Sequence, residues 1–365
     1  MWGGVDSTCK NLEYGVPQGS ILGPLLFVIY INDLPGMNNL AQFILYADDA
    51  NIIISGNSIL EIEEKINALC ERLMEWVRVN GLLINLKKTN YMLFSRKSIA
   101  NPPRIAMNNE NITRVDKAKF LGVILDDKLS WTAHIDAMKT KMSRYVGIMY
   151  RIKQHLPLKV RVQIYQSFIQ SHLNYCSLVW GFSPKSSIES LFRQQKKGIR
   201  AVMPGPTNYY YRDGNLPTGT KMFFNEHSIL TVHGIIASNA MMFMNKFFHF
   251  PSLLPRYVKN TISTNVPTRN DGANISDEAF EWFNYHNTTQ FRQSLFLKGP
   301  LLFIDTSISE AFNPVSCQSV NAFKSQCKRT ILKLQGQGEA HDWSSSKFPI
   351  FLITGLRKSK RTHLA

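Results

Sequence analysis

The sequence predicts an α+β fold, with short strands and helices mixed in the first 126 residues and helices dominating afterwards. Two observations lead to this expectation. The stretch Phe43–Ile54 is rich in β-branched and apolar residues on both sides of Ala47-Asp48-Asp49, which favours two strands joined by a tight turn. Beyond Ser130, apolar residues recur every three or four positions, which is the spacing of amphipathic helices.

The charge balance favours a polyanionic partner. The chain of 365 residues has 42 Lys and Arg against 26 Asp and Glu, and its hydrophobic fraction of 44% is that of a packed globular protein. Each phosphate that a basic side chain contacts releases condensed counterions, so RNA and DNA are the favoured partners. A basic surface that serves solubility alone is the alternative. No membrane partner is expected, because the longest apolar run, Ile21–Ile31, is too short to span a bilayer.

The cysteines indicate neither disulfides nor zinc. They are odd in number and scattered, with no CxxC pair and no Cys/His cluster: Cys9, Cys70, Cys176, Cys317 and Cys327. We therefore expect reduced thiols. The first residues, Met1–Gly4, lack the basic and apolar regions of a secretion signal, which favours an intracellular site, nuclear or cytoplasmic, over secretion.

The elements after the first hairpin follow from local patterns. Apolar residues at helical spacing predict a helix over Ile59–Trp76. Leu83–Leu86 and Tyr91–Phe94 flank the polar Lys87-Lys88-Thr89, which predicts a second hairpin. Phe120–Leu125 predicts one more short strand.

Basic amphipathic helices are expected beyond Ser130. The apolar stripe of the first consists of Ile135, Met138, Met142, Tyr145, Met149 and Ile152. Further helices are predicted over Leu158–Trp180, Ile188–Met203 and Val320–Leu334. Pro204-Gly205-Pro206 and the turn-rich stretch after it predict a domain boundary.

Asp48 and Asp49 are the candidate metal ligands. Two adjacent carboxylates at the tip of an apolar hairpin repel each other unless a divalent cation lies between or beside them, and Mg²⁺ suits such oxygen ligands. An aspartate pair in a solvated turn is the alternative, and it would be favoured if the pair stood alone.

A glycine-rich turn precedes the hairpin. In Gly15–Phe27, Pro17 and the glycines shape a turn that leads into a helix. Backbone amides and the Gln18 side chain are then available to meet a nucleotide. A well-capped helix without a ligand is the alternative.

These two segments, in this order, resemble motifs B and C of the reverse transcriptases of non-LTR retrotransposons, especially the jockey-like group. The resemblance extends to Gly81–Thr89, which is similar to motif D, and to Phe120–Asp126, which is similar to motif E, the primer grip. Leu173–Gly181 and Gln194–Arg200 are similar to the helical region that follows the palm in the same family. The first of these two segments disfavours an intron-encoded maturase, another palm polymerase.

The resemblance implies RNA-directed DNA polymerisation, in which two Mg²⁺ ions activate the primer 3′-hydroxyl and hold the dNTP. Asp48 would be a metal ligand and Asp49 a second carboxylate. Tyr46 and Ala47 would lie close to the primer end, although Tyr46 could equally be an aromatic that packs within its strand. The implied partners are an RNA template, a DNA primer and dNTP.

The resemblance also assigns residues outside the hairpin. Lys88 would donate a proton to the pyrophosphate leaving group, or it is a solvated surface lysine. Template, nucleotide and primer would be contacted by Gln18, Gly19, Ser20, Phe120, Leu121 and Gly122. For Phe120 and Leu121, a place in the core is an equal alternative.

The implied architecture has three parts. Residues 1–126 would form a partial polymerase palm, an antiparallel sheet with helices. Residues 127–205 would form a helical thumb, and residues 206–365 a mostly helical C-terminal region.

One family element has no convincing counterpart. Motif A is an aspartate on a strand before motif B, and it completes the metal site. Asp6 is the only aspartate before Val16, and it lies in Gly3–Ser7, which is similar to the segment just before motif B. We therefore expect an unpaired sheet edge, and no polymerase activity from this chain alone in primer extension with Mg²⁺. The alternative function is that of a non-catalytic, basic nucleic-acid-binding remnant.

Overall fold

The computed structural model describes residues 15–16, 19–95, 99–204, 219–249, 252, 254 and 320–337. The chain divides into two units, residues 1–116 and 117–365. Both contain helices and small two-stranded sheets, so the predicted α+β class is confirmed at that level. Across the described ranges, no helix is both long enough and apolar enough to cross a membrane.

The first unit is built from helices and short strands. Its longer elements are α1 (Leu22–Ile31), β1 (Gln42–Tyr46), β2 (Asp49–Ile53) and α2 (Ile59–Val79), with a 3-10 turn at Leu34–Met37. Two-residue strands follow: β3 (Asn90–Tyr91), β4 (Ala106–Met107), β5 (Glu110–Asn111) and β6 (Thr113–Arg114). The predicted hairpin before Ile54 and the predicted helix from Ile59 are therefore confirmed.

Helix α2 begins at a capping box. The Ser58 hydroxyl accepts the Glu61 N–H at 3.1 Å, and the Glu61 carboxylate accepts the Asn57 N–H at 2.8 Å. The first bond satisfies a backbone donor that the first helical turn cannot pair internally, and the second fixes the chain just before the helix. The buried face of α2 then packs into a core shared by Ile31, Leu34, Cys70, Leu73, Val77, Ile105, Met107 and Ile112.

Asn67 fastens the segment around β4 to α2. Its side-chain amide donates to the Arg104 carbonyl at 3.1 Å, and its side-chain oxygen accepts the Ala106 N–H at 3.2 Å. The carboxylate of Glu63, one turn earlier, accepts the Arg104 N–H at 2.9 Å. The backbone polar groups of this segment are thus paired by helix side chains rather than by a long strand.

The prediction of a second hairpin around Lys88 was wrong. Tyr91 lies in β3, which pairs in parallel with β6, while Leu83 is 98% exposed. The Tyr91 hydroxyl donates to the Pro103 carbonyl at 2.7 Å, and the Val115 N–H donates to the Tyr91 carbonyl at 2.9 Å. The partners of this strand thus come from a later segment, which a local alternation of apolar residues cannot reveal.

The second unit is mainly helical. It begins with the hairpin β7 (Lys117–Phe120) and β8 (Val123–Asp126), which α3 (Thr132–Ile152) follows. The described residues that follow form a 3-10 turn (Lys153–His155), α4 (Leu158–Tyr165), a π-helical segment (Gln166–Gln170), α5 (Ser171–Asn174), α6 (Ser177–Trp180), α7 (Lys185–Val202), α8 (Thr220–Glu226), α9 (Val232–His249) and α10 (Val320–Gln337).

Two sequence expectations fail in this unit. The single strand expected over Phe120–Leu125 is a hairpin with its turn at Leu121 and Gly122. The continuous helix expected over Leu158–Trp180 changes to π-helix and then breaks at Cys176, whose φ is 49°. The break is stabilised by Trp180, whose indole N–H donates to the Tyr175 carbonyl at 2.9 Å. Apolar spacing alone does not show such a left-handed residue.

The helical core is organised around α7. Helix α3 packs against it, and most of the apolar stripe predicted for α3 is buried, as expected. Gln195 of α7 is also fully buried. Its amide donates to the Tyr165 hydroxyl and the Leu230 carbonyl, both at 3.0 Å, and its oxygen accepts the Val232 N–H at 2.7 Å. Burial raises the pKa of Tyr165, so this phenol stays neutral in the network.

Asp126 controls the joint between the hairpin and α3. Its buried carboxylate accepts the backbone N–H groups of Ser130 at 2.8 Å and Trp131 at 3.0 Å, and also bonds the Lys128 N–H and the Ser130 hydroxyl. Leu129 and Trp131 have φ angles of 50° and 63°, a conformation that costs free energy for residues other than glycine. The carboxylate holds these residues in place.

Replacing Asp126 tests this joint. Asp126→Ala is expected to lower the free energy of unfolding by about 2–4 kcal/mol, because several charge-assisted hydrogen bonds from partly buried donors are lost together. Asp126→Asn retains one oxygen acceptor and should cost less. Urea unfolding followed by circular dichroism measures both, with Asp127→Ala as the neighbouring control. Equal losses for Asp126→Ala and Asp127→Ala would contradict this role.

Candidate functional site

The tip of the β1–β2 hairpin carries the two candidate metal ligands. Tyr46 pairs with Asp49 across the strands, so Ala47 and Asp48 form a two-residue turn. Ala47 has a φ of 50°, as tight hairpin turns require of their first central residue. The carboxylates of Asp48 and Asp49 are therefore adjacent and exposed at a short, defined turn.

One face of this hairpin lies on the core and the other is open. Phe43, Leu45 and Ile52 are half-buried against the first unit's core. Tyr46 belongs to the other face and is 63% exposed. This exposure disfavours the alternative in which Tyr46 packs within the sheet, and it leaves the ring available beside the carboxylates.

Helix α1 exposes an unusual amount of apolar surface. Its residues are apolar all round, but within the helix only Gly23 and Ile31 are buried. Six side chains are between 44% and 64% exposed: Leu22, Leu25, Leu26, Val28, Ile29 and Tyr30. Apolar surface of this kind marks a contact site. Among the described strands, β1 and β2 pair only with each other.

The turn before α1 is partly described. Gly19 is exposed with a φ of 85°, a value that glycine tolerates. The Ser20 hydroxyl accepts the Gly23 N–H at 3.1 Å and thereby caps the start of the helix. This contact agrees with the helix-capping alternative for Ser20. Gln18 lies outside the described residues.

The other predicted residues lie in other segments of the chain. Lys88 lies in a turn, is exposed, and forms no ion pair with Asp48 or Asp49 in the described structure. This placement agrees with the solvated alternative for Lys88. Phe120, Leu121 and Gly122 belong to the second unit.

The Leu121–Gly122 turn is held by a tyrosine that the sequence analysis missed. The Tyr175 hydroxyl donates to the Leu121 carbonyl at 2.6 Å. Gly122 has a φ of 84°, and a Cβ atom there would lie 3.1 Å from the Tyr175 ring. Glycine is thus needed for both conformation and space. Tyr175 precedes the left-handed Cys176, and no local pattern connects it with a turn 54 residues earlier.

The base of the same hairpin is held by a histidine. The Nδ1 atom of buried His134 accepts the Ile124 N–H at 3.3 Å. Burial, and to a lesser extent the charge of Lys141, lower the pKa of His134. The neutral ring can therefore act as an acceptor at neutral pH.

The donor set at the hairpin tip fits a hard divalent cation. Carboxylate oxygens are the ligands that Mg²⁺ prefers, and Mg²⁺ completes its octahedron with water and substrate phosphates. In the part of the chain that the structure describes, no group of three or more His, Cys, Asp or Glu residues forms a metal cluster. Asp48 and Asp49 can therefore supply only part of a metal site.

Comparison with known proteins gives consistent results. Residues 6–125 match the family model described as reverse transcriptase (RNA-dependent DNA polymerase). The chain is similar to a protein called "Probable RNA-directed DNA polymerase from transposon X-element" from Drosophila melanogaster, with 30% identity over 54% of this chain and 22% of the relative. It is also similar to the RNA-directed DNA polymerase from mobile element jockey of the same species, with 28% identity over 58% of this chain and 24% of the relative.

A third relative is the Pol polyprotein from the R1 retrotransposable element of Nasonia vitripennis, at 27% identity over 52% of this chain and 60% of the relative. The chain spans about a quarter of the length of the Drosophila relatives it matches. No solved structure matches it.

Tyr175→Phe tests the support of the Leu121–Gly122 turn. Losing one hydrogen bond at a partly exposed site is expected to lower the free energy of unfolding by about 1 kcal/mol. It should also speed amide hydrogen exchange at this turn more than elsewhere. Tyr150→Phe, an exposed tyrosine on α3, is the matched control. Unchanged exchange at the turn would contradict the supporting role of the Tyr175 hydroxyl.

Proposed function

Residues 6–125 belong to the reverse transcriptase family, in its jockey-like non-LTR retrotransposon branch, and from that premise we propose that the chain serves RNA-directed DNA synthesis of a mobile element. The observation that carries this proposal is the exposed pair of carboxylates at the defined hairpin turn of Asp48 and Asp49. An RNA template, a DNA primer and dNTP are the proposed substrates. Residues 1–126 act as the palm and residues 127–205 as the thumb.

Asp48 and Asp49 hold Mg²⁺ in this proposal. Bound divalent cations stabilise the charge that develops when one oxygen displaces another at phosphorus. Aspartate carboxylates at adjacent positions suit this task because their mutual repulsion is relieved when a cation binds. Tyr46 and Ala47, which share the turn, contact the primer end.

Residues outside the hairpin position the substrates. Gln18, Gly19 and Ser20 orient the template and the incoming nucleotide, and the Ser20 contact with the Gly23 N–H fixes the start of α1 for this purpose. Phe120, Leu121 and Gly122 contact the primer from a turn that Tyr175 supports. Lys88, exposed in its turn, donates the proton that the leaving pyrophosphate accepts.

A further carboxylate completes the metal site, and it comes from outside the described residues. Two observations support this proposal. The described residues contribute only the Asp48–Asp49 pair, and no other described strand pairs with the β1–β2 sheet. The exposed apolar residues of α1 offer a surface on which the segment that carries this carboxylate can pack.

Nucleic-acid binding without catalysis is the second candidate function. Residues 117–204 contain fifteen Lys and Arg against four Asp and Glu, so this region attracts a phosphate backbone whether or not a metal site is complete. The two functions differ in one property. Both require salt-sensitive binding of primer–template, and only polymerisation requires Asp48.

Metal binding at the turn is tested without a polymerase assay. Mn²⁺ titration followed by electron paramagnetic resonance should detect bound metal in the 365-residue chain, and Asp48→Ala should weaken that binding by at least about tenfold. Glu71→Ala, which removes an exposed carboxylate from α2, is the matched control. Equal Mn²⁺ affinity in all three proteins would sink the assignment.

Primer extension separates the two candidate functions. We expect the 365-residue chain to bind an RNA template with a DNA primer and to incorporate no nucleotide with Mg²⁺ and dNTP, because the described residues supply only two carboxylates towards a two-metal site. Incorporation that Asp48→Ala abolishes would overturn this expectation and show that the chain alone is a polymerase. Absence of primer–template binding would contradict both functions.

A further inference from the structure

Three rings on the surface of the second unit form a cluster that the polymerase residues do not use. The Tyr145 ring lies 5.0 Å from the Phe168 ring and 5.8 Å from the His172 ring, and it is stacked on the latter at an angle of 22°. Phe168 is 46% exposed, while Tyr145 and His172 are half-buried. The cluster therefore combines one exposed phenylalanine with two half-buried rings.

The backbone beneath this cluster is irregular. Phe168 is the central residue of the π-helical segment Gln166–Gln170, and His172 follows one turn later in α5. Single turns of π-helix are rare and occur often at functional sites. Here Phe168 and His172 both contact the Tyr145 ring of α3. Because Phe168 is 46% exposed, packing in the core does not explain its position.

Positive charge surrounds the cluster. Lys141 and Arg144 are exposed on α3 next to Tyr145, and Lys141 is close enough to His172 to contribute to lowering the pKa of that histidine, after the larger effect of burial. A neutral imidazole is a flat ring suited to stacking. The only acidic residues in 117–204 are Asp126, Asp127, Asp136 and Glu189, against fifteen basic ones.

The cluster lies close in sequence to Tyr175, which supports the turn proposed to meet the primer. Three residues beyond His172, Tyr175 is 51% exposed and contacts Leu121 and Gly122. A nucleic acid held at this turn can therefore continue along Tyr175 and His172 towards Phe168 without leaving the second unit.

We infer that Tyr145, Phe168 and His172 form a stacking site for unpaired nucleotides, flanked by Lys141 and Arg144, which contact phosphates. Aromatic side chains bind bases in this way without sequence preference, and basic neighbours follow the backbone. The inference rests on the proposed nucleic-acid function and adds a single-stranded segment to it. A blunt duplex offers no unstacked base and does not use the site.

Fluorescence anisotropy with two labelled probes tests the site in the 365-residue chain. One probe is a blunt RNA–DNA hybrid, and the other is the same hybrid with a single-stranded RNA overhang. Phe168→Ala is expected to weaken binding of the overhang probe by about five- to a hundred-fold, the range measured for loss of one stacked base. Binding of the blunt probe should not change.

Matched variants separate stacking from charge and from folding. Phe168→Leu retains apolar bulk without an aromatic face and should weaken binding of the overhang probe as Phe168→Ala does. Phe168→Trp keeps an aromatic face and should bind this probe like the original chain. Lys141→Ala should reduce the slope of log Kd against log salt by about one, and Phe168→Leu should leave that slope unchanged. Tyr150→Ala, an exposed tyrosine on α3, should affect neither probe.

Each outcome decides the inference. Equal losses for both probes, or binding by Phe168→Leu equal to that of the original chain, overturn the stacking site but leave nucleic-acid binding intact. Failure of the original chain to bind either probe overturns the proposed function as well. Photocrosslinking of a 4-thiouridine overhang provides the second measurement, and crosslinks at Tyr145 or Phe168 are expected.

Discussion

The second unit depends on the hydrogen bonds that the Asp126 carboxylate accepts from the loop before α3. It closes the loop between β8 and α3, where Leu129 and Trp131 adopt costly left-handed conformations. This loop sets the orientation of the β7–β8 hairpin relative to α3. In that orientation, Ile124 contacts His134 and Leu121 contacts Tyr175. One buried acid therefore determines where the turn of Leu121 and Gly122 lies relative to the helices.

The two hairpins carry their functional residues by different physical means. The Asp48–Asp49 turn is defined locally, by strand register and one left-handed alanine, and its surroundings are exposed. The Leu121–Gly122 turn is defined at long range, by a tyrosine from a broken helix. In the proposed function, the first turn binds metal and substrate and benefits from access, whereas the second holds a polymer in register and benefits from rigid support.

Local sequence patterns predicted the helices and hairpins that are determined by residues close together in the chain. The helix from Ile59 follows from apolar spacing and a capping box, and the hairpin around Asp48 follows from β-branched residues on both sides of a turn. The pairing of Tyr91 with a later segment and the support of Leu121 by Tyr175 involve contacts distant in sequence. Asp48 and Asp49 could be identified early because they are adjacent in the chain. The ring cluster around Tyr145 could not, because the π-helical segment that carries Phe168 leaves no apolar signature in the sequence.

The π-helical segment has a consequence for how this sequence can change over generations. A π-turn accommodates an extra residue within a helix. Deleting one codon between Gln166 and Gln170 would restore ordinary winding without rotating the residues that follow, so Tyr175 and Trp180 would keep their contacts. Deleting one codon within a regular α-helix would instead rotate everything that follows by about 100° with a shift of about 1.5 Å. A one-residue deletion in the π-helical segment should therefore be tolerated more readily than a deletion in the regular helices around it.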